Sequence, residues 1–95
     1  MLNIEQIISA VASTAKDFQI KTITLFGSYA DGSNTPDSDV DLLIEFFAPA
    51  VSLLTLAAVK NRIEDILQTE VDIIRAPLPE NSLIEIGKAV QIYAA

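Results

Sequence analysis

The sequence predicts a mixed α/β domain, a small sheet of three or four strands flanked by helices, and three observations carry that prediction. Apolar residues recur at helical spacing over residues 3–18 and again after Ser52. Three short apolar segments, 20–26, 39–47 and 70–76, the first of them rich in β-branched residues, read as strands. The resulting order, α-β-loop-β-α-β-α, interleaves helices with the strands of one sheet.

Each element has its own signal. Asn3 is a helix cap, with Gln6 three residues later as in a capping box. Ile4, Ile7, Ile8, Val11, Ala12 and Ala15 then fall on one helical face, which is expected to be buried. "IKTITLF" is the first strand, and Gly27 ends it. "GSYADGSNTPDS" reads as a turn or short helix followed by loop, broken by Gly32, Ser33, Asn34 and Pro36. "DVDLLIEFF" is the second strand. The next helix starts near Ser52, with Leu53, Leu56, Ala57, Val59, Ile63, Ile66 and Leu67 as its apolar set and Lys60, Arg62, Glu64 and Asp65 largely opposite. "EVDIIRA" is the third strand. "PLP" breaks the chain, and "NSLIEIGKAVQIYA" reads as a closing helix with Asn81 as its cap and Gly87 inside it.

Composition narrows the chemistry. The 95 residues are expected to form one domain, residues 1–95. Apolar residues make up 51% and aromatics only 6%, so the core must be built mainly from Ile, Leu, Val and Ala. Without cysteine there are no disulfides and no thiolate metal sites. Without histidine there is no imidazole base or ligand, which removes Ser-His and Cys-His nucleophile systems. Acid–base or metal chemistry then falls to carboxylates, Lys, Tyr or hydroxyls. Thirteen acidic residues against 6 basic ones give a net charge of −7, so direct nucleic-acid binding is not expected. An acidic domain suits a basic protein partner or bound divalent cations. The first residues, "MLNIEQIISA", have no basic n-region, and no apolar run reaches membrane-spanning length. The expectation is a soluble, cytoplasmic domain.

The carboxylates are distributed with a pattern. Asp39 and Asp41 lie two apart at the start of a strand, so their side chains share a face. Two carboxylates so placed repel unless a cation lies between them, and Mg²⁺ takes carboxylate oxygens while keeping positions for water and phosphates. Gly27 and Ser28 directly follow the first strand: a glycine there lets backbone N–H groups approach a phosphate, and Ser28 adds a hydroxyl. Asp72 interrupts the apolar third strand. If that strand lies beside the second, Asp72 faces the same cleft, and three acids around one or two metal ions serve in-line phosphoryl or nucleotidyl transfer. Each feature alone has a plainer explanation: "PDSD" is ordinary turn chemistry, Gly-Ser is a common turn, and Asp72 suits a guarded edge strand. It is their conjunction that points to a site. Asp37 is assigned to the Pro36 turn, and Glu45 lies too far along its strand to join the same metal.

Gly27-Ser28, ten intervening residues and Asp39-Val40-Asp41 resemble the Gly-Ser…Asp-x-Asp signature of DNA-polymerase-β-like nucleotidyltransferases. More narrowly, "ITLFGSYADGSNTPDSDVDLLIEF" with the following helix and strand is similar to the minimal nucleotidyltransferase (MNT) group, over nearly the whole chain. The resemblance implies the polymerase-β-like fold, Mg²⁺ on Asp39 and Asp41, nucleotide phosphates at Gly27 and Ser28, and Asp72 as a further metal ligand or as the base for the acceptor hydroxyl. It also implies ATP as substrate, AMP transfer to a tyrosine, and pairing with a helical HEPN toxin that the domain neutralises. The chain departs from the family's GS-x-A-R-G at Asp31, and no Lys or Arg lies between Lys21 and Lys60. An aspartate where an arginine favours triphosphate points to an alternative reading: a catalytically weak or inactive antitoxin that acts by binding alone.

Overall fold

The computed structural model describes residues 2–76 and 89–95 of the chain. Four strands form one sheet in the order β3-β2-β1-β4: β1 (Ile20–Phe26), β2 (Val40–Phe46), β3 (Val71–Arg75) and β4 (Val90–Ala94). β1 runs antiparallel to both β2 and β4, whereas β2 and β3 are parallel. Parallel neighbours need a crossover, and α3 (Leu53–Leu67) supplies it. The other helices among the described residues are α1 (Ile4–Phe18) and the single turn α2 (Ser28–Asp31).

α1 begins where its cap says it should. The Gln6 N–H donates to Asn3 Oδ1 and the Asn3 N–H to Gln6 Oε1, each at 2.9 Å, a complete capping box. Ser52 caps α3 by accepting from the Thr55 N–H at 3.1 Å. Both long helices end on a glutamine in the left-handed region, Gln19 (φ 53°) and Gln68 (φ 54°), where glycine is the usual choice.

β2 alternates strictly: Val40, Leu42, Ile44 and Phe46 are buried, and the residues between them are only partly covered. The buried set joins Ile20, Ile23 and Leu25 of β1, Val71 of β3, Ile7, Val11 and Ala15 of α1, and Val59, Ile63 and Leu67 of α3 in one core. Helices therefore cover one face of the sheet. Thr14, the buried polar residue of α1, donates its hydroxyl to the Ala10 carbonyl at 3.0 Å and leaves no unmet hydroxyl in the core.

Two expectations need correction. Residues 90–94 are a strand hydrogen-bonded to β1, not the end of a helix. The rest of the expected closing helix, with Asn81 and Gly87, lies outside the described residues. The apolar stripes are wider than the buried seams: Ile4 and Ile8 are exposed on α1, and Leu53, Ala57 and Ile66 are exposed on α3. Two helices leaning on each other over one sheet face bury only the residues along their common seam. Among the described residues no helix is long and apolar enough to cross a membrane.

Candidate active site

The sheet order places the C-terminal end of β1 beside the N-terminal ends of β2 and β3. Phe26 is the register partner of Asp41, and Asp41 is the register partner of Asp72. Asp39 precedes β2 by one residue and shares Asp41's parity, opposite the buried Val40. Asp39 and Asp41 are partly buried, and Asp72 is exposed. The topology thus gathers Asp39, Asp41 and Asp72 at the edge where the Gly27-Ser28 turn leaves β1.

Gly27 meets Asp41 directly. Its backbone is at φ 75° and ψ −155°, and a Cβ built on it would overlap the Asp41 Oδ2. Only a residue without a side chain lets the carboxylate lie against the turn, and that φ/ψ region is in any case a glycine region. Ser28 opens α2, in which the Ala30 N–H donates to the Gly27 carbonyl at 3.0 Å and the Gly32 N–H to the Ser28 carbonyl at 3.0 Å.

Electrostatics mark Asp41. Burial pushes its carboxyl above the ordinary aspartate range, and the negative charges of Asp72 and then Asp39 push it the same way. A cation there would relieve all three causes, so the donor set of Asp39 and Asp41 fits a hard divalent ion such as Mg²⁺. Among the described residues, no group of three or more carboxylates is disposed to hold a metal together. The three acids are therefore neighbours without forming a closed three-ligand cage.

Two backbone anchors fix the entrance to β3, and sequence spacing did not reveal them. The Val71 N–H donates to Glu64 Oε2 at 2.9 Å, tying the last turn of α3 to the residue before Asp72. The Val40 N–H donates to the Glu70 carbonyl at 3.0 Å, joining the starts of β2 and β3. Glu64 looks like an ordinary solvent-facing helix residue until helix and strand are packed together. Asp31 accepts from both the N–H and the hydroxyl of Ser33, so its carboxylate stabilises the turn after α2. Asp37 lies in the Thr35–Ser38 turn, where its N–H donates to the Thr35 hydroxyl at 3.3 Å. Glu45 sits at the far end of β2, 3.4 Å from the Thr22 hydroxyl that donates to it and 4.0 Å from Lys21 Nζ.

A four-stranded mixed sheet with two helices on one face, and acids at the N-terminal ends of β2 and β3 beside a Gly-Ser turn, defines a nucleotidyltransferase-type domain. Residues 4–93 match the family described as "Nucleotidyltransferase domain", and the chain belongs to that family. Among curated relatives it is 42% identical over 57 residues to MJ0126 of Methanocaldococcus jannaschii, a candidate protein adenylyltransferase, covering 60% of this chain and 57% of that one. It is 35% identical over 78 residues to the protein adenylyltransferase MntA of Thermococcus cleftensis, covering 78% of each. The match thus spans a little over half the length of the M. jannaschii relative. A solved complex of a tri-AMPylated Shewanella oneidensis HEPN toxin with its MNT antitoxin aligns over 96% of this chain and 72% of the matched one, with a TM-score of 0.70 at 15% identity. That likeness is one of fold.

Proposed function

We propose that this domain is a Mg²⁺-dependent nucleotidyltransferase that moves AMP from ATP onto a hydroxyl of a HEPN-type toxin and so acts as its antitoxin. The observation that carries this reading is the register of Asp41 with Asp72 at the mouth of the Gly27-Ser28 turn. It gives two partly buried carboxylates, an exposed third and a glycine turn in one place. The names of the T. cleftensis and S. oneidensis relatives support the AMP, the toxin and the antitoxin role.

In this reading Asp39 and Asp41 hold the Mg²⁺, which supplies charge neutralisation for the triphosphate. Gly27 and Ser28 present the turn to the phosphates. The acceptor oxygen attacks the α-phosphorus, its bond forms as the bond to the bridging oxygen breaks, and pyrophosphate leaves with that electron pair. Asp72 takes the acceptor's proton. Most of the rate then comes from positioning and electrostatics.

Asp31 supports a second reading, in which the chain neutralises a basic toxin by binding alone, because it stands where a cation would draw in triphosphate. Incubation with a candidate HEPN protein, ATP and Mg²⁺, then intact-mass spectrometry, separates the two. AMP mass on the toxin, lost when Asp39→Ala and Asp41→Ala are combined, is the expected result. An inhibited but unmodified toxin would overturn the transferase reading.

A further inference from the structure

α1 passes into β1 through the single residue Gln19, so its N-terminal half lies at the end of the sheet where β1 finishes beside Asp41. α3 passes into β3 through residues 68–70, so its C-terminal end lies at that same end. Between the two helix ends is a groove of about 460 Å³, lined by Leu2, Glu5, Ser9, Ala10, Ile66 and Leu67 among others. That volume is within the range of ligand-accepting clefts. Apolar surface is open to solvent here: Ile66, in the lining, is 47% exposed.

The charge around it is mainly negative. Glu5 lines the groove, Asp65 and Glu70 lie close in sequence to its lining residues Ile66 and Leu67, and Arg62, one turn before Ile66, is held in an ion pair with Asp17 at 2.6 Å. Glu5, Asp65 and Glu70 are exposed. An apolar slot with an acidic border complements an apolar side chain flanked by cations, and it repels acidic segments, including those of a second copy of this chain.

We propose that the α1–α3 groove docks a basic protein partner through an amphipathic segment, its apolar side chains in the slot and its lysines or arginines against Glu5, Asp65 and Glu70. The proposal rests on the transferase reading for its purpose, which is to hold the acceptor protein at the end of the sheet that carries Asp39, Asp41 and Asp72.

The probe is a fluorescent amphipathic helical peptide with leucines on one face and lysines and arginines on the other. Its counterpart has glutamate at every basic position. Anisotropy titration should show binding of the basic peptide at least tenfold tighter than of the acidic one. Glu5→Lys combined with Asp65→Lys should weaken it at least tenfold, and so should Ile66→Ser. Leu54→Ser removes a still more exposed apolar side chain at the other end of α3 and should leave binding unchanged. Equal binding of the two peptides, less than a twofold effect of the groove variants, or an equal effect of Leu54→Ser would overturn the proposal. Calorimetric titration with MgATP distinguishes the two readings. Groove variants that bind MgATP normally but lose the peptide support docking here. A wild-type chain that binds the peptide in this groove but takes up no MgATP leaves the groove in place and removes the transferase reading.

Discussion

Gly27 and Asp41 share one small volume: the carboxylate of Asp41 occupies the space that a Cβ on residue 27 would need. The turn glycine and the strand aspartate, fourteen positions apart, are therefore a single steric unit. Gly32 also has a positive φ, 84°, but a Cβ there meets nothing within 4 Å. The pair makes an internal control. Gly32→Ala is expected to cost only the left-handed backbone penalty, about 1–2 kcal/mol, and to keep any Mg²⁺-induced rise in melting temperature. Gly27→Ala adds displacement of Asp41 to a strain of about 1–3 kcal/mol, and should lose the Mg²⁺ response as well. Urea denaturation and thermal melts with and without Mg²⁺ check both. Equal behaviour of the two variants would show that Asp41 does not depend on the bare turn.

Asp41 also sets a pH dependence. Its folded pKa is raised by burial and by Asp72 and Asp39. A raised folded pKa contributes stability below the unfolded value, here about 3.8, and that contribution is lost as pH rises through the folded value. Ionised Asp41 therefore weighs against the metal-free fold at neutral pH. Asp41→Asn should be more stable than the parent at pH 7 without Mg²⁺, with the advantage fading as pH falls towards 3.8. Adding Mg²⁺ should stabilise the parent and not the variant. Paired melts across pH, with and without the metal, measure this. Lower stability of Asp41→Asn at pH 7 would mean that the carboxylate has a native partner among the protein's own groups.

Asp72 separates from Asp39 and Asp41 by what its loss does. In the proposed role of base it serves the proton step and not the holding of nucleotide, so Asp72→Asn should lower the rate of AMP transfer by about 10²–10⁴-fold while MgATP affinity changes little. Asp39→Asn or Asp41→Asn should lower both. Calorimetry with MgATP alongside a mass-spectrometric rate for the acceptor protein resolves the two effects. Loss of MgATP affinity in the Asp72 variant would make it a metal ligand.

The placement of the three acids was more legible in the sequence than the edges of the fold. Strand parity put Asp39 and Asp41 on one face, and an apolar third strand interrupted at Asp72 was enough to expect it nearby; the register pairing of Asp41 with Asp72 is the outcome. The capping box of α1 was legible because Asn3 and Gln6 carry it locally. β4 was not. "VQIYA" is too short for periodicity to choose between helix and strand, and what decides is pairing with β1, a contact some seventy residues away in sequence. The helix ends at Gln19 and Gln68 gave no signal either, because a non-glycine residue in the left-handed region is set by the packing of the strand after it. Glu64's bond to Val71 was hidden for the same reason: it exists only once α3 returns against β3.

The apolar stripe of α3 is where sequence and structure part most clearly, and it makes the last prediction. Ile63 and Ile66 look equivalent on a helical wheel, yet Ile63 is fully buried in one core with Val59 and Leu67, whereas Ile66 is 47% exposed on the groove. Truncating Ile63 opens a cavity among β-strand side chains that are themselves held by neighbours, so Ile63→Ala should cost about 2–5 kcal/mol. Ile66→Ala removes a side chain already half in water. The hydrophobic transfer lost there is on the order of 1 kcal/mol or less, and alanine's better helix propensity offsets part of it. Urea melts of the two variants decide the matter. Comparable losses would mean that Ile66 is covered in solution, either by more of this chain or by a second copy. A difference of about 2 kcal/mol or more leaves Ile66 free for the docking role.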